Sequence, residues 1–265
     1  MSSSRLARLL PWVGAPLLIV VLCTIWEISV RVFDVSTLIL PPPSLIAERL
    51  GELVQDPEVW GHAWITASEI IMGFLAAVVL GVLVGVVLGK VAWLEMTVRP
   101  IIVLLQVVPK VAFVPLFVIW FGFGMSSKVI IAAMLAFFPI MLNVLLGVKS
   151  IDPGHRDVMT ALNAGKMQRF TNLDFRSVMP YLLAGMETGI VFAVIGAIVG
   201  EYLGGNEGLG YMVVRTLNQL DAPGLFGVVV LLAVLGLVLY GAVFILKRFL
   251  IPWHESVYAQ QGNVA

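Results

Sequence analysis

Charged residues are scarce in this chain. Aspartate, glutamate, lysine and arginine together make up 12% of the 265 residues, whereas hydrophobic residues make up 60%. A soluble domain needs a far more polar surface, because charged side chains are almost never fully buried. The composition therefore excludes a soluble globular protein and indicates an integral membrane protein. The formal net charge of zero gives no reason to expect a nucleic acid as a partner.

Residues that support metal or redox chemistry are almost missing. Cys23 is the only cysteine, so the chain forms no intrachain disulfide and no cysteine-built metal site. The histidines His62, His155 and His254 are far apart in the sequence, and no two of them have the spacing of metal ligands. The glycine-rich loop and lysine that bind nucleotide phosphates are also absent. We expect no metal, no cofactor bound by this chain and no enzymatic activity.

Long apolar runs fill most of the sequence. A helix needs roughly 20 residues to cross a hydrocarbon core of about 30 Å, and helices are favoured because lipid offers the backbone no hydrogen-bond partners. We predict an all-α integral membrane protein in which residues 1–265 form a single domain with six spanning helices. The predicted spans are Pro11–Val32, Ile65–Gly89, Ile101–Phe121, Val129–Val148, Tyr181–Leu203 and Leu225–Leu246. Glu27 and the lack of a small-residue cleavage site favour an uncleaved anchor over a signal peptide for the first span.

Basic residues are distributed unevenly between the two sides that six spans define. An even number of spans places both termini on one side. That side would hold Arg5, Arg8, Lys90, Arg99, Lys149, Arg156, Lys166, Arg169, Arg176, Lys247 and Arg248. The other side would hold Arg31, Arg49, Lys128 and Arg215. The positive-inside tendency therefore predicts that both termini are cytoplasmic.

Small residues recur every fourth position in two of the predicted spans. In the second span they are Gly73, Ala77, Gly81, Gly85 and Gly89. In the fifth span they are Gly185, Gly189, Ala193 and Ala197, followed by Gly196, Gly200 and Gly204. Such ladders allow another helix backbone to approach closely. Static packing within one bundle accounts for any single glycine, whereas the two ladders together also suit helices that move against each other.

The third predicted span contains Pro100, Pro109 and Pro115, which we expect to break it. Non-helical backbone at membrane depth needs protein or a water-filled cavity around it. Lys110 lies beside the middle proline, and a lysine within a span predicts a functional site. Its cation would attract an anionic solute. The alternatives are that it snorkels towards the cytoplasmic surface or forms a fixed ion pair.

Polar residues in or near the spans predict a translocation pathway. The predicted pathway residues are Gln106, Lys110, Asn143 and Glu201. Glu201 lies near the outer end of the fifth span and precedes a glycine-rich segment. It is interpreted either as part of an outer gate or as an ordinary solvent-facing helix end.

The polar island from Lys149 to Pro180 separates two apolar segments and must lie in water. We interpret it as two short helices joined by a turn. Asp152 caps the first helix and Pro153 is its first residue, whereas residues 163–165 (Asn-Ala-Gly) tolerate a left-handed backbone and end it. The exposed face of the first helix would carry Val158, Met159 and Leu162. An apolar face on a cytoplasmic loop predicts a protein partner.

A second amphipathic segment, Pro43–Val54, precedes the second predicted span. Leu45, Ile46, Leu50 and Val54 have the spacing of one helical face. We predict that this segment lies on the outer surface of the membrane.

Four stretches of the chain carry patterns that occur together in one group of proteins. They are residues 40–44 (LPPPS), 106–124 (QVVPKVAFVPLFVIWFGFG), 157–170 (DVMTALNAGKMQRF, followed by Met179 and Pro180) and 200–210 (GEYLGGNEGLG). These stretches resemble the permeases of ATP-binding-cassette (ABC) importers, in the nitrate, sulfonate and taurine branch. The resemblance extends from about Leu40 to Trp253, and residues 157–170 correspond to the EAA loop of that family.

The resemblance implies a type I ABC importer permease fold in the inner membrane of a bacterium, with a core at about residues 60–250 and a coupling loop at 149–180. The implied partners are membrane lipid, a second copy of the chain, two cytoplasmic ATPases that bind ATP and Mg, and an extracytoplasmic substrate-binding protein. The first helix of the polar island would dock on the ATPase. The implied coupling residues are Asp157, Val158, Met159, Ala161, Leu162, Asn163, Gly165, Arg169 and Phe170. The solute would be small and anionic or heteroaromatic.

Two other functional classes remain open at this point. A transporter or channel driven by an ion gradient is expected to show charged relays deep in several spans, whereas the few candidates here lie mostly near helix ends. A membrane-embedded enzyme is disfavoured because the histidines are scattered. The sequence does not determine the identity of the solute, whether the chain is an ABC importer permease or a transporter driven by an ion gradient.

Overall fold

The computed structural model describes residues 3–252, and no strand occurs among them. The helices are α1 (Ser3–Val32), α2 (Pro43–Gln55), α3 (Pro57–Lys90), α4 (Ala92–Val107), α5 (Val114–Phe121), α6 (Met125–Lys149), α7 (Pro153–Ala161), α8 (Lys166–Arg169), α9 (Phe175–Gly204), α10 (Leu209–Asn218) and α11 (Ala222–Leu250). A 3-10 turn (Lys110–Phe113) precedes α5, and a π-helical segment (Phe170–Asp174) joins α8 to α9. The predicted all-α class is confirmed. His254 lies outside the described residues.

Within residues 3–252, four helices are long and apolar enough to span a membrane. They are α3, α6, α11 and a continuous helix, Lys166–Gly204, that comprises α8, the π-helical segment and α9. Helix α4 and the segment Lys110–Phe121 meet the same requirement only as a pair that is bent by 80°. Helix α1 has 30 residues, but the side chains of its first turns lie outside the described part of the chain. A total of six spans therefore stays a prediction.

The prediction that three prolines break the third span is wrong for two of them. Pro100 lies inside α4, because a helix in a membrane tolerates proline when neighbouring groups adjust to the lost hydrogen bond. Pro115 falls in the first turn of α5, where backbone amides lack helical partners in any case. The chain leaves helical geometry at Val108 and Pro109. The break in this span is therefore a single sharp bend.

Helix α6 lies at the centre of the core, between α3 and α9. The two ladders of small residues explain this arrangement, because they converge on the same part of α6. A Cβ atom added at Gly73 of α3 would lie 2.6 Å from the Cβ of Ala132, and one added at Gly196 of α9 would lie 2.7 Å from the Cα of Ala132. The interpretation that these glycines serve close packing within one bundle is confirmed.

Helix α2 packs against α11, and its position on the outer surface of the membrane stays a prediction. Leu53 is buried in a cluster with Val228 and Leu232 of α11, whereas Val54, predicted on the apolar face of α2, is exposed. Asp221, at the start of α11, accepts a hydrogen bond at 2.9 Å from Arg49 of α2. Hydrogen bonds to Glu52 and to Asp221 raise the pKa of this guanidinium. Ile46, on the predicted face, is also buried, so the protein covers part of that face.

The polar island is one short helix followed by the start of a long one. The side chain of Asp152 accepts a hydrogen bond of 2.7 Å from the amide of Gly154, and Asn163 is left-handed with φ of 49°, so the first helix begins and ends as predicted. The second helix does not end within the island. It continues from α8 through the π-helical segment into α9, because no glycine interrupts it and Pro180 is tolerated inside the helix.

Candidate functional site

The hairpin of α7 and α8, which we call the tip (Pro153–Phe170), exposes apolar side chains. Leu162 and Met167 are each 72% exposed, Val158 is 56% exposed and Phe170 is 48% exposed. Of the nine predicted coupling residues, all except the half-buried Met159 are exposed. Contiguous apolar surface on a segment that must lie in water marks a site of protein interaction. The structure therefore gathers the predicted coupling residues on one accessible hairpin.

Backbone hydrogen bonds give the tip a defined shape. The amide of Ala164 donates to the carbonyl of Met159 at 2.9 Å, and the amide of Gly165 donates to Oε1 of Gln168 at 2.9 Å. The guanidinium Nε of Arg169 donates to the carbonyl of Ala164 at 3.1 Å. These bonds satisfy the turn and cap the start of α8. The tip is therefore an ordered hairpin rather than a loose loop.

An ion pair connects the base of the tip with the membrane helices. Nζ of Lys90, at the end of α3, lies 3.6 Å from the carboxylate of Asp174, the last residue of the π-helical segment. Ile151, just before α7, is buried. The hairpin is therefore attached to two spanning helices, α3 and α9, at the cytoplasmic side that the basic residues predict.

A cavity of about 520 Å³ lies at the bend between α4 and α5. This volume is within the range of about 300–1,000 Å³ that is usual for small-molecule sites. Leu135 and Leu142 of α6 line the cavity. At 1.5 Å per residue, they lie about 15 Å from the start and about 10 Å from the end of α6. The cavity is therefore near the middle of a spanning helix, where non-helical backbone needs such an environment.

Two of the predicted pathway residues, Gln106 and Lys110, line this cavity. Nζ of Lys110 lies 4.9 Å from the ring centroid of Phe138, within cation–π range, and 3.4 Å from the carbonyl oxygen of Gln106. Among residues 3–252, the ion pairs of the protein do not include Lys110. The alternative of a fixed ion pair is therefore not found in the described part of the chain.

The structure does not place the other two predicted pathway residues on the cavity. Asn143 faces α9, since a Cβ added at Gly185 would lie 2.9 Å from its Cβ, and its amide donates to the carbonyl of Pro139 at 2.8 Å. Glu201 is near the C-terminal end of α9, which is predicted to face outward, and is fully buried. The interpretation of Glu201 as an ordinary solvent-facing helix end is wrong, because neighbouring elements cover it.

The carboxyl group of Glu201 binds two groups that are distant in the sequence. Its Oε1 accepts a hydrogen bond of 2.6 Å from the hydroxyl of Thr66 on α3, and its Oε2 accepts one of 2.6 Å from the amide of Gly210 on α10. Thr66 is also fully buried. The carboxyl group therefore joins α3, α9 and α10 at one point.

The two residues before Gly210 are held in the same way. The amide of Leu209 donates to the hydroxyl of Thr66 at 2.8 Å, and the amide of Gly208 donates to Nδ1 of His62 at 2.9 Å. Acceptance at Nδ1 requires that this nitrogen carries no proton. We call this group of residues the outer clasp: His62, Thr66, Glu201, Gly208, Leu209 and Gly210.

Two further charged residues lie beside the outer clasp. Lys128 at the start of α6 is 2% exposed and donates to the carbonyls of Phe123 and Gly124. The side chain of Glu69 lies next to that of Glu201, and its Oε2 has no hydrogen-bond partner in the described residues.

Sequence analysis missed Thr66 and Lys128 as parts of a site. The available signal was the spacing of Thr66 and Glu69, which lie three residues apart and therefore on one face of α3. The closing partner of that face, Glu201, lies 135 residues after Thr66, so only the packing of α3 on α9 reveals the contact.

Comparisons with known proteins agree with this architecture. Residues 77–253 match the family described as "Binding-protein-dependent transport system inner membrane component". The chain is 36% identical over 240 residues to the formylaminopyrimidine transport permease protein ThiX of Halalkalibacterium halodurans, covering 91% of this chain and 95% of that protein. It is 33% identical over 246 residues to the riboflavin transport system permease protein RibX of Chloroflexus aurantiacus, covering 93% and 92%.

The taurine transport system permease protein TauC of Escherichia coli is 29% identical over 242 residues, with 89% of this chain and 88% of TauC covered. These matches extend over nearly the whole chain and include the tip, the cavity and the outer clasp. Permeases of this kind work with a separate ATPase and a substrate-binding protein, and are not themselves enzymes. The chain belongs to the binding-protein-dependent transport system inner membrane components and is a multi-pass permease subunit of an ABC importer for a small solute.

Proposed function

We propose that the permease works as a homodimer, embedded in lipid, whose two tips dock on two cytoplasmic ATPase subunits. The observation that carries this proposal is the row of exposed apolar side chains on the tip. In the proposed assembly the ATPases bind ATP and Mg, whereas this chain binds no cofactor and acts as one membrane domain. Both termini lie in the cytoplasm, in agreement with the basic residues at that side.

The chemistry of the tip supports docking rather than simple exposure to water. Its apolar side chains are surrounded by Arg156, Asp157, Lys166 and Arg169, all exposed. An apolar centre with a charged rim is the usual anatomy of a protein–protein interface, in which the centre supplies most of the affinity. The rim would set the orientation of the helix in the groove of its partner.

We place the solute pathway at the cavity beside the bend of the third span. Lys110 supplies one cation and Phe138 supplies a ring in an otherwise largely apolar wall. This combination suits a small solute that is anionic or heteroaromatic, because a cation attracts the first and a ring stacks with the second. The relatives named for formylaminopyrimidine, riboflavin and taurine transport support the same range of solutes.

Replacing Leu162 with aspartate tests the docking of the tip. The change places a charge in the centre of the docking surface, where an unpaired charge is costly. We expect the variant to insert normally but to lose copurification with the ATPase and to lose transport. Leu220→Asp is the matched control, because Leu220 is 70% exposed in the loop between α10 and α11, on the opposite side of the predicted membrane. Normal copurification of Leu162→Asp with the ATPase would refute the docking proposal.

Cysteine labelling tests the position of the pathway. In a Cys23→Ser background the chain has no other cysteine, so Gln106→Cys reports one position. We expect a membrane-impermeant thiol reagent to label it, because thiolates form in water. Leu104→Cys is the control, since Leu104 is exposed on α4 but does not line the cavity. Equal resistance of both positions to the reagent would mean that water does not reach the cavity.

A further inference from the structure

The N-terminus of α10 is capped by other helices. The first amides of a helix have no partner within the helix and are usually capped by the residue that precedes it. That residue here is Gly208, which has no side chain to offer. His62 and Thr66 of α3 and Glu201 of α9 accept these hydrogen bonds instead. Helix α10 therefore completes its first turn only when it lies against both helices.

The glycines of the outer clasp fit the carboxyl group of Glu201. A Cβ atom at Gly208 would lie 2.1 Å from its Oε1, and one at Gly210 would lie 2.8 Å from its Oε2. Between them, Leu209 is 1% exposed and packs in an apolar cluster with Val59 of α3. The backbone of α10 is therefore in direct contact with a buried side chain of α9.

Separation of α10 from α3 and α9 would leave Oε2 of Glu201 and the first amides of α10 without their partners. The carboxyl oxygens of Glu201 and the hydroxyl of Thr66 have no exposed surface, because both residues are fully buried. Buried polar groups that lose their hydrogen bonds are strongly unfavourable. The contact is therefore expected to persist while the surrounding helices move.

The helix that carries Glu201 also carries part of the tip. The continuous helix Lys166–Gly204 has 39 residues, which corresponds to a length of about 58 Å at 1.5 Å per residue. The hydrocarbon core is only about 30 Å thick. One end of this helix therefore extends into the tip on the cytoplasmic side, and the other end holds the outer clasp.

We propose that Glu201, together with Thr66, is a positioning residue that makes α10 move as one body with α9. A displacement that the ATPase imposes on the tip then reaches the outer surface of the permease through one helix. This inference rests on the proposed docking of the tip and on the proposed homodimer. It assigns to the outer clasp the transmission of movement, rather than contact with the solute.

Distances between spin labels in the assembled complex of permease and ATPase test this inference. In a Cys23→Ser background, Tyr202→Cys reports the outer end of α9 and Leu217→Cys reports α10, because both positions are exposed. In the homodimer each single label measures a distance between protomers. We expect both distances to change by similar amounts when ATP and Mg are trapped with vanadate.

Substitutions that remove hydrogen bonds of the outer clasp should make the labels on α9 and α10 respond differently to ATP. In Glu201→Ala we expect the label on α9 to respond as before and the response of the label on α10 to fall by more than half. Thr66→Val should have the same effect, whereas Thr66→Ser keeps the hydroxyl and should restore the response. A role in stability alone would lower the yield of folded protein without changing which label responds. Thr66→Val also serves as the second variant if Glu201→Ala fails to fold.

Three results would overturn the inference. In the first, the distance measured from the label on α10 changes as usual in folded Glu201→Ala and Thr66→Val. In the second, the distance from the label on α10 does not follow that from the label on α9 when the clasp is intact. In the third, neither distance changes although the ATPase is bound. The docking proposal has its own separate result, because Leu162→Asp is judged by copurification with the ATPase alone.

Discussion

The tip and the outer clasp are opposite in their chemistry. The tip exposes apolar side chains such as Leu162 to water, whereas the outer clasp buries polar side chains such as Glu201 and Thr66. The tip leaves its apolar surface uncovered, and so depends on a partner to cover it. The outer clasp satisfies the first amides of α10 within the chain itself. If the tip docks as proposed, one end of α9 serves association and the other serves internal cohesion.

The largest expected effect concerns Gly208 of the outer clasp. Gly208→Ala introduces a Cβ that overlaps the Glu201 carboxyl group at a residue with φ of 101°. Gly122→Ala is the matched control, because Gly122 also has positive φ, at 81°, but has no atom within 4 Å of an added Cβ. Both residues combine positive φ with ψ near 180°, a backbone region that essentially only glycine adopts and that costs other residues about 1–3 kcal/mol, so the control should lose about that amount of stability and Gly208→Ala clearly more. Thermal unfolding in detergent measures both, and equal losses would mean that the clasp is not tightly packed.

An intermediate effect should distinguish buried from exposed sites. Thr66→Val removes a buried hydroxyl that serves Glu201 and Leu209, and should lower the free energy of unfolding by about 1–3 kcal/mol. Val158→Thr makes the reverse exchange, a hydroxyl in place of a methyl group, at the exposed tip and should change the free energy of unfolding by no more than about 0.5 kcal/mol. A greater loss of stability in Val158→Thr than in Thr66→Val would contradict the difference between the exposed tip and the buried outer clasp.

Disturbed packing of the central helices should lower the free energy of unfolding by an amount in the same range. Gly196→Ala places a Cβ 2.7 Å from the backbone of Ala132, and overpacking of this kind costs about 1–3 kcal/mol when the backbone cannot move away. Gly241→Ala in α11 meets no atom within 4 Å and should be neutral or stabilising by up to about 1 kcal/mol. Thermal unfolding of the two variants gives the measurement, and stabilisation of Gly196→Ala would contradict the close approach of α6 and α9.

The smallest effects are expected for the ion pairs at the two ends. Lys90→Gln removes the pair with Asp174 below the tip, and Arg215→Gln removes the pair with Glu58 near the outer clasp, where the distance is 2.7 Å. Each pair has a partly exposed basic partner, so each change should cost less than about 1 kcal/mol. The difference from the unmodified protein should shrink further in high salt, and a larger loss at either end would show a coupled charge network.

The sequence predicts those features that depend on neighbouring residues. Asp152 and Pro153 mark the start of α7, Asn163 marks its end, and the spacing of Gly73 and Gly196 within their ladders marks close helix contacts. Each of these signals acts within one turn or along one helix face. Four spans could be recognised for the same reason, because their apolar runs are continuous.

Features that depend on distant residues were not predicted. The contact of Thr66 with Glu201 requires the packing of α3 on α9, and the burial of Leu53 requires α11 to cover α2. The bend at Pro109 was anticipated, but the tolerance of Pro100 depends on surroundings that the local sequence does not encode. The roles of the coupling residues on the tip and of Lys110 at the cavity stay predictions until the labelling and docking experiments are made.

The π-helical segment Phe170–Asp174 lies between the tip and the small-residue face of α9. A π turn accommodates one more residue than an α turn, and one residue corresponds to about 100° of rotation about a helix axis. The π turn can absorb the loss of one residue by becoming an α turn, but deletion of one residue from the regular α-helix at Phe175–Pro180 would turn the hairpin by about that angle relative to the small-residue face of α9. The docking side chains would keep their chemistry but face the wrong direction. The proposed docking therefore requires the correct rotation of this helix about its axis as well as the correct residues on the tip.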